Sequence, residues 1–273
     1  MDAKELLRCE RSAIRLAIEA GAMMTAASGR NKEIAEKDSF ADLVTETDKA
    51  VEKFLFNELK RLFPDFRFIG EETSSRVGLT ADPTWIIDPI DGTMNFVHTF
   101  PCTCVSIGLT VNKVPVVGVI YSPFLDKLYT ARKGSGAYCN GRPISVSKNC
   151  NSLSEALLLC EFGNQRDDEK KNAVFRNLEA VGWLVHGVRC MGSAALNLCS
   201  VADGSADAYW EFGLHVWDMA AGAVIVTEAG GVVMDTKGGP VDIMNRRILG
   251  ACCDKIGHEL SAALPIHLDL ESD

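Results

Sequence analysis

Apolar side chains recur at helical spacing near the start of the chain. Leu7, Ile14 and Ile18 are separated by whole turns of an α-helix, and charged residues fill the positions between them. This pattern predicts an amphipathic helix over residues 4–27. Its apolar face is expected to lie in the core, and its charged face is expected to be solvated.

A second apolar stripe follows a polar connection. It consists of Val51, Phe54, Leu55, Leu59 and Leu62. Thr45 stands three positions before Asp48, which is the spacing of a capping box at a helix start, and Pro64 ends the stripe. We therefore predict a second core-facing helix between these boundaries.

Two short runs of β-forming residues end in carboxylates. Residues 66–69 predict a strand that leads into Glu71, and the apolar run 85–87 predicts a buried strand. Because Pro89 has no N–H for a strand ladder, we expect this strand to end at Asp88. Functional groups in sheets that contain parallel strands collect at such carboxyl ends.

The middle and second half of the chain contain further strands and helices. Strands are predicted at 105–111, 116–121, 128–131, 157–161, 185–190, 208–212 and 248–252, with a hairpin turn at Asn140-Gly141. Helices are predicted at 169–181, 193–201, 218–229 and after the last strand. This order indicates a mixed α-β (α+β) fold of stacked sheets and helices, and residues 1–273 contain no repeat or long linker, so we expect a single domain.

Composition narrows the functional classes. The net charge of −9 argues against a nucleic-acid or anionic-membrane partner, because either would need clustered Lys and Arg. No apolar stretch approaches the roughly 18 to 20 residues of a membrane span, and the first residues lack the apolar core of a signal peptide. We expect a soluble, cytoplasmic protein whose ten scattered cysteines are free thiols.

The segment after the buried strand contains the groups of a metal and phosphate site. Asp88 and Asp91 can direct two carboxylates to one point, with the carbonyl of Ile90 between them, and hard divalent cations prefer such oxygens. Gly92 allows close backbone approach to an anion. The hydroxyl of Thr93 is expected either to orient a water molecule or to cap a helix.

Four segments resemble the inositol monophosphatase family. They are DLVTETD at 42–48, GEE at 70–72, DPIDGTMNF at 88–96 and WDMAAG at 217–222. They occur in the order that the family has, and the resemblance extends from about residue 10 to about residue 265, with the animal members most similar. It implies a layered αβαβα sandwich of the metal-dependent sugar phosphatase type and hydrolysis of inositol monophosphates.

The resemblance implies Mg²⁺ as the cofactor, with about two to three ions per active site. Glu71, Asp88 and the Ile90 carbonyl are implied to bind one ion, and Asp88, Asp91 and Asp218 a second. A weaker third ion is implied near Glu71. Asp218 is expected at the first position of its helix, where a carboxylate can also cap.

Catalytic and substrate-binding roles also follow from the resemblance. Thr93, supported by Asp48 and Thr45, is implied to position the attacking water. The residues implied to bind substrate are Glu71, Asp91, Gly92, Thr93, Gly192, Ser193, Ala194, Glu211 and Asp218. Glu211 suits vicinal ring hydroxyls, the alternative being a solvated strand residue. Lys37 is similar to a basic residue near the family's site, the alternative being an unrelated exposed lysine.

The resemblance has three further implications. It implies inhibition by Li⁺, a small-molecule inositol phosphate as the substrate, and a homodimer. A related enzyme acting on a sugar bisphosphate or a 3′-phosphoadenosine nucleotide is the alternative substrate class, although the chain lacks added basic residues for a second phosphate. A phosphatase with an aspartyl nucleophile is the alternative mechanism, which the spacing of Asp88 and Asp91 disfavours.

Overall fold

Helices and sheets alternate through the molecule. The structure, a computed structural model, describes residues 1–29, 34–37, 40–73 and 77–272. The α-helices in these ranges are α1 (Ala3–Ala27), α2 (Glu46–Leu62), α3 (Thr93–Val97), α4 (Asp168–Val181), α5 (Ala194–Ala202), α6 (Val216–Glu228) and α7 (Asp254–Ala263). A 3₁₀ turn spans Leu153–Glu155.

The described strands form three sheets. β1 (Ile34–Glu36) and β2 (Leu43–Thr45) make an antiparallel pair. The large sheet has the order β3 (Arg67–Gly70), β4 (Thr84–Asp91), β5 (Cys104–Val111), β6 (Val114–Ser122), β7 (Lys127–Arg132), β8 (Ala137–Cys139) and β9 (Arg142–Pro143). The small sheet has the order β11 (Gly187–Arg189), β10 (Leu157–Cys160), β12 (Ala208–Phe212), β14 (Arg247–Ala251) and β13 (Val232–Met234).

Both large assemblies are mixed sheets. β3 pairs with β4 in parallel, and the other described neighbours in the large sheet are antiparallel. In the small sheet β10 runs parallel to β11 and β12, whereas β14 is antiparallel to β12 and β13. The mixed α-β prediction is therefore confirmed.

The layers stack in the order helix, sheet, helix, sheet, helix. α1 and α2 pack on one face of the large sheet, α5 and α6 lie between the two sheets, and α7 packs on the small sheet beside α4. One apolar cluster fills the space under α1 and α2, and a second surrounds α6 and continues to α7. This arrangement confirms the predicted αβαβα sandwich.

Two glycines allow α6 to lie directly on the large sheet. A Cβ atom at Gly118 of β6 would be 2.3 Å from the carbonyl oxygen of Ala221, and one at Gly108 of β5 would be 2.9 Å from the Ala220 Cβ. Both distances are shorter than real Cβ atoms tolerate. A larger residue at either position would push the helix away from the sheet.

α1 begins at Ala3, one residue before its predicted start, and the predicted start of α2 is confirmed. Asp2 caps α1 through a 2.8 Å hydrogen bond from the Glu5 N–H to its carboxylate. At α2 the side chains of Thr45 and Asp48 form the predicted capping box. The Asn140-Gly141 turn is also confirmed, since both residues have positive φ values of 50° and 74°.

The predicted end of the buried strand at Asp88 is wrong. β4 continues through Pro89 to Asp91, and its pairing with β5 changes register between Asp88 and Asp91. This irregularity accommodates Pro89, which has no N–H to donate to the ladder. The two aspartates therefore lie on one bulged strand end instead of after it.

The predicted helix start at Asp218 is also wrong by two residues. α6 begins at Val216, because His215 occupies the N-cap position and Asp218 is the third helical residue. The Asp218 carboxylate still caps, since its Oδ2 accepts a 2.7 Å hydrogen bond from the His215 N–H. The other predicted helices and strands are present with small shifts of their ends.

Candidate active site

Three aspartates meet at the bulged end of β4. Carboxylate oxygens of Asp88, Asp91 and Asp218 all lie within 4.8 Å of one another. Asp88 and Asp91 are buried, and Asp218 is half-buried in the first turn of α6. The fold thus brings together three of the predicted metal ligands from segments far apart in the sequence.

Local hydrogen bonds fix the two aspartates that β4 carries. Asp88 Oδ1 accepts a 2.9 Å hydrogen bond from the Ile90 N–H. Asp91 Oδ2 accepts from the Ala195 N–H at 2.8 Å and from the Ser193 hydroxyl, and the Cys104 thiol lies 3.7 Å away. Asp91 therefore joins β4 to the beginning of α5. Because a carboxylate has two oxygens, such anchoring is compatible with binding a cation through the other oxygen.

Glu71 lies at the side of this cluster and is paired with a lysine. Lys37 Nζ is 2.7 Å from Glu71 Oε1 and 2.6 Å from Glu72 Oε1. Burial lowers the pKa of Lys37, but the charges of the two glutamates outweigh burial and raise it above its ordinary value. Lys37 is exposed but ion-paired with the acidic site, which favours the resemblance over an unrelated lysine.

The carboxylates repel one another and are removed from water. Burial, followed by the charges of Glu71 and Asp91, raises the pKa of Asp88 well above its usual range. Burial and Asp91 likewise raise the pKa of Asp218, and burial raises the pKa of Glu71 to about 7 despite Lys37. A divalent cation would relieve both effects, and an all-oxygen donor set suits a hard ion. The residues present therefore fit a metal site.

Thr93 connects the acidic cluster to α2. Its hydroxyl oxygen is 3.1 Å from Asp48 Oδ1 and 3.0 Å from the carbonyl oxygen of Ile90. The other oxygen of Asp48 accepts from the N–H of Thr45 at 3.0 Å and from the Thr45 hydroxyl. Gly92 is the N-cap of α3, so the helix-capping alternative for Thr93 is wrong.

Gly92 and Gly192 bring two loops into close contact. Both have positive φ values, 84° and 76°, and a Cβ atom at Gly92 would be 2.9 Å from the carbonyl oxygen of Gly192. Asn95 Nδ2 donates to the carbonyl oxygens of Met191 and Cys102, each at 2.8 Å. Asn95 thus fixes the loop before α5 against the segment that follows β4.

Glu211 is buried on β12, so the alternative of a solvated strand residue is wrong. Its Oε2 accepts a hydrogen bond from the Tyr209 hydroxyl. Burial and the charge of Glu161 raise the pKa of Glu211 to about 8, although the charge of Lys170 acts in the opposite direction. Lys170, in turn, has its pKa lowered to about 8, mainly by burial.

Sequence reasoning missed Glu161, which also belongs to this site. Its Oε1 accepts from the N–H groups of Met191 and Gly192 at 2.6 and 2.8 Å and from Asn197 Nδ2 at 2.9 Å. Glu161 immediately follows β10, so its position at the carboxyl end of a parallel strand was an available clue. It holds the loop that leads into α5.

One cavity of about 270 Å³ collects nearly all of these residues. The predicted site residues that line it are Glu71, Asp88, Ile90, Asp91, Gly92, Thr93, Gly192, Ser193, Ala194, Glu211 and Asp218. Asp48 and Thr45 are buried behind Thr93. Arg166 is the one lysine or arginine on the lining within the described ranges, so the walls are predominantly acidic.

The layered sandwich and this acidic cavity together define a phosphatase. The inositol monophosphatase family is matched over residues 5–265, and the chain belongs to that family. The carboxylate cluster at β4 and α6 is the part of the site that can bind a metal ion. No helix within the described part of the chain is long and apolar enough to cross a membrane.

Named relatives and solved structures agree with this assignment. Inositol monophosphatase 1 of Rattus norvegicus is 46% identical over 97% of this chain and 98% of its own length. Inositol monophosphatase 2 of Homo sapiens is 46% identical over 94% of this chain and 90% of its own. An inositol monophosphatase structure from Anabaena (Nostoc) has a TM-score of 0.83 and 37% identity, covering 95% of this chain and 96% of that one.

Proposed function

We propose that this protein hydrolyses inositol monophosphates to inositol and phosphate in a Mg²⁺-dependent reaction. The observation that supports it is the meeting of Asp88, Asp91 and Asp218 in the cavity that Thr93 also lines. Membership of the inositol monophosphatase family supports the same substrate class.

Glu71, Asp88 and the Ile90 carbonyl would hold one Mg²⁺, and Asp88, Asp91 and Asp218 a second. A third, weaker ion beside Glu71 belongs to the same proposal. Bound Mg²⁺ supplies charge stabilisation to the attacking and leaving oxygens and lowers the pKa of water. The Ile90 carbonyl oxygen can bind a metal ion while it accepts a hydrogen bond from Thr93, because a carbonyl oxygen has two lone pairs.

Thr93 and Asp48 would orient the attacking water. The Thr93 hydroxyl has one proton and two acceptors within hydrogen-bonding distance, Asp48 Oδ1 and the Ile90 carbonyl oxygen, so its oxygen can accept from a water. Burial raises the pKa of Asp48 to about 6, against the lowering by its hydrogen bonds to Thr45. Because this pKa is still below 7, Asp48 remains largely ionised at neutral pH and can accept a hydrogen bond from the Thr93 hydroxyl. Thr45 fixes Asp48 for this role.

The substrate would lie between the two loops that Gly92 and Gly192 bring together. The backbone amides of Gly92 and Thr93 would bind the phosphate group. Asp91, Glu211 and Asp218 would accept hydrogen bonds from ring hydroxyls beside the backbone of residues 192–194. Glu211 suits this role because it is buried and held by Tyr209. With its pKa raised to about 8 it is largely protonated at neutral pH, but a protonated carboxyl group still accepts hydrogen bonds.

The cavity favours one phosphate over two. Its described lining has one arginine, Arg166, against acidic residues on several sides, and a second phosphate would need more basic partners. We expect faster Mg²⁺-dependent phosphate release from inositol 1-phosphate than from fructose 1,6-bisphosphate or 3′-phosphoadenosine 5′-phosphate. Preference for either of the latter would overturn the assigned substrate class.

The proposed attack by water differs from a route through an aspartyl phosphate. Asp88 carries a hydrogen bond from the Ile90 N–H and lies in a group of repelling carboxylates, which makes it a better cation ligand than nucleophile. Acid quenching during turnover of ³²P-labelled substrate is expected to leave no label on the protein. Label on Asp88 would contradict the water mechanism.

The family resemblance also supports a cytoplasmic homodimer that Li⁺ inhibits. Sedimentation equilibrium is expected to give twice the 29.6 kDa chain mass, and a monomer mass would contradict the dimer. Millimolar LiCl is expected to reduce turnover at saturating Mg²⁺. An unchanged rate under those conditions would remove Li⁺ inhibition from the proposal.

A further inference from the structure

A second group of metal-binding side chains lies on the small sheet. Ligand atoms of Cys150, Asp207 and Cys252 all lie within 4.8 Å of one another. Cys252 is buried, whereas Cys150 and Asp207 are half-buried, so an ion can enter from solvent. Unlike the acidic cluster, this group combines two sulfurs with one oxygen.

The strand register explains why two of these ligands face each other. β12 and β14 are antiparallel, and Ala208 is paired with Ala251. Asp207 and Cys252 are therefore the next pair along the ladder, and the Cys252 N–H donates to the Asp207 carbonyl oxygen at 2.8 Å. Side chains directly opposite each other in this way project to the same face of a sheet.

The carboxylate of Asp207 is oriented by the neighbouring strand. The Leu157 N–H donates to Asp207 Oδ2 at 2.8 Å, and the Asp207 N–H donates to the Leu157 carbonyl oxygen at 2.9 Å. Such bonds to a ligating carboxylate fix its direction and support metal binding. Cys150 comes from a different segment, residues 144–156, which connects the large sheet to the small one.

The geometry points to a zinc-binding site formed by Cys150, Asp207 and Cys252, with solvent in the fourth position. In tetrahedral zinc coordination, sulfur and oxygen ligands are separated by roughly 3.4 to 3.8 Å, given metal–ligand distances of about 2.3 and 2.1 Å. The three ligand atoms lie within 4.8 Å of one another, so small side-chain movements would bring them to these separations. The ion would fasten the connection between the two sheets to the ends of β12 and β14.

The charge change on binding is balanced. Burial raises the pKa of Cys150 to about 11 and that of Cys252 to about 12, so both thiols are protonated without metal. Zn²⁺ binding forms two Zn–S bonds and one Zn–O bond and releases both thiol protons to solvent. The net charge of the site is unchanged, and zinc affinity is expected to rise with pH.

Zinc titration of the full-length, phosphine-reduced protein tests this site, with Mg²⁺ in excess to occupy the acidic cluster. We expect about one tightly bound zinc ion per chain and a higher melting temperature with Zn²⁺. Co²⁺ in place of Zn²⁺ is expected to give a thiolate-to-cobalt charge-transfer band, which carboxylate ligands cannot produce. Absence of that band would overturn the proposal.

Three variants locate the ion. Cys252→Ser and the less buried Cys150→Ser are each expected to lose the bound zinc, the cobalt band and the thermal shift. Cys139→Ser, also a half-buried cysteine but outside the group, is expected to retain all three. Circular dichroism identifies any variant that fails to fold. If Cys252→Ser fails to fold, the result for Cys150→Ser decides the test. Unchanged zinc binding in folded Cys150→Ser would overturn the assignment.

Discussion

The hydroxyl oxygen of Thr93 lies 3.1 Å from Oδ1 of Asp48, which is 45 positions earlier in the chain. Asp48 is fully buried at the start of α2, and its second oxygen is engaged by Thr45. The contact therefore links a helix start to the segment that follows β4. It also gives the Thr93 hydroxyl a defined acceptor for its proton.

We expect Thr93→Ala to lower kcat by about 10²- to 10⁴-fold, the range typical of a lost acid-base group. KM for inositol 1-phosphate is expected to change little, because the hydroxyl acts on the attacking water. Thr93→Ser keeps a hydroxyl and is expected to retain most activity in the same steady-state assay. Equal loss in both variants would contradict a role for the hydroxyl.

Asp218→Asn is expected to abolish turnover while leaving the fold intact. The amide oxygen can still accept from the His215 N–H, so the start of α6 is preserved. The lost charge is expected to weaken Mg²⁺ binding by more than about 100-fold, since even changes around metal ligands cost about 10- to 100-fold. Isothermal titration with Mg²⁺ measures this effect directly.

Asp168→Asn provides the matched control for that experiment. Asp168 also lies in the first turn of a helix, α4, but it is exposed and outside the cavity. Its turnover and Mg²⁺ affinity are expected to match those of the unmodified protein. Near-normal activity of Asp218→Asn would mean that the aspartate cluster is not the metal site.

Glu211→Gln is expected to affect substrates according to their hydroxyls. The loss of a buried carboxylate acceptor is expected to lower kcat/KM for inositol 1-phosphate by about tenfold or more. p-Nitrophenyl phosphate has no ring hydroxyls and is expected to be hydrolysed at a nearly unchanged rate. Tyr209→Phe, which leaves the carboxylate but removes its partner, is expected to show a smaller selective loss. Equal losses for both substrates would contradict ring recognition by Glu211.

The metal-free protein is expected to lose stability as the pH rises from about 4.5 to about 7. Glu71 has its pKa raised from 4.5 to about 7 in the folded chain, and burial raises the pKa of Asp88 and Asp218 in the same direction. Over this interval the folded state binds more protons than the unfolded state, so stability falls with pH. Each kcal/mol lost from the free energy of unfolding lowers the melting temperature by roughly 2 to 4 °C for a chain of this size.

Thermal melts in chelator across this pH range measure the effect, and Glu71→Gln is expected to flatten the curve. Added Mg²⁺ should stabilise the protein more strongly at pH 8 than at pH 5, because ligand carboxylates must be ionised. A melting temperature that rises with pH without metal would contradict the sign.

The sequence was sufficient for most elements because their patterns are local. The capping box of Thr45 and Asp48, the turn at Asn140-Gly141 and the regular apolar spacing of α1 are each determined by neighbouring residues. The error at Pro89 arose because a bulge depends on the partner strand, which a single run of residues does not reveal. Short strands such as β13 were missed for a different reason, because three residues are too few to show a strand pattern.

The site was predictable only in part for a similar reason. Asp88 and Asp91 were indicated by their own spacing, but their meeting with Asp218 required the family resemblance. Glu161 and Lys170 escaped detection because their contacts to the loop before α5 and to the end of β12 depend on the tertiary fold. Isolated charged residues of this kind usually lie on the surface.

The glycine contact beneath α6 sets the distance between this helix and the large sheet. Gly118 lets the helix backbone lie against β6, while the same helix carries Asp218 in its first turn and the same sheet carries Asp88 and Asp91. The separation between the Asp218 carboxylate and the two carboxylates of β4 thus depends on how closely the backbone of α6 lies on the large sheet. Gly118, which lies outside the cavity, thereby influences the distance between the carboxylates on which metal binding depends.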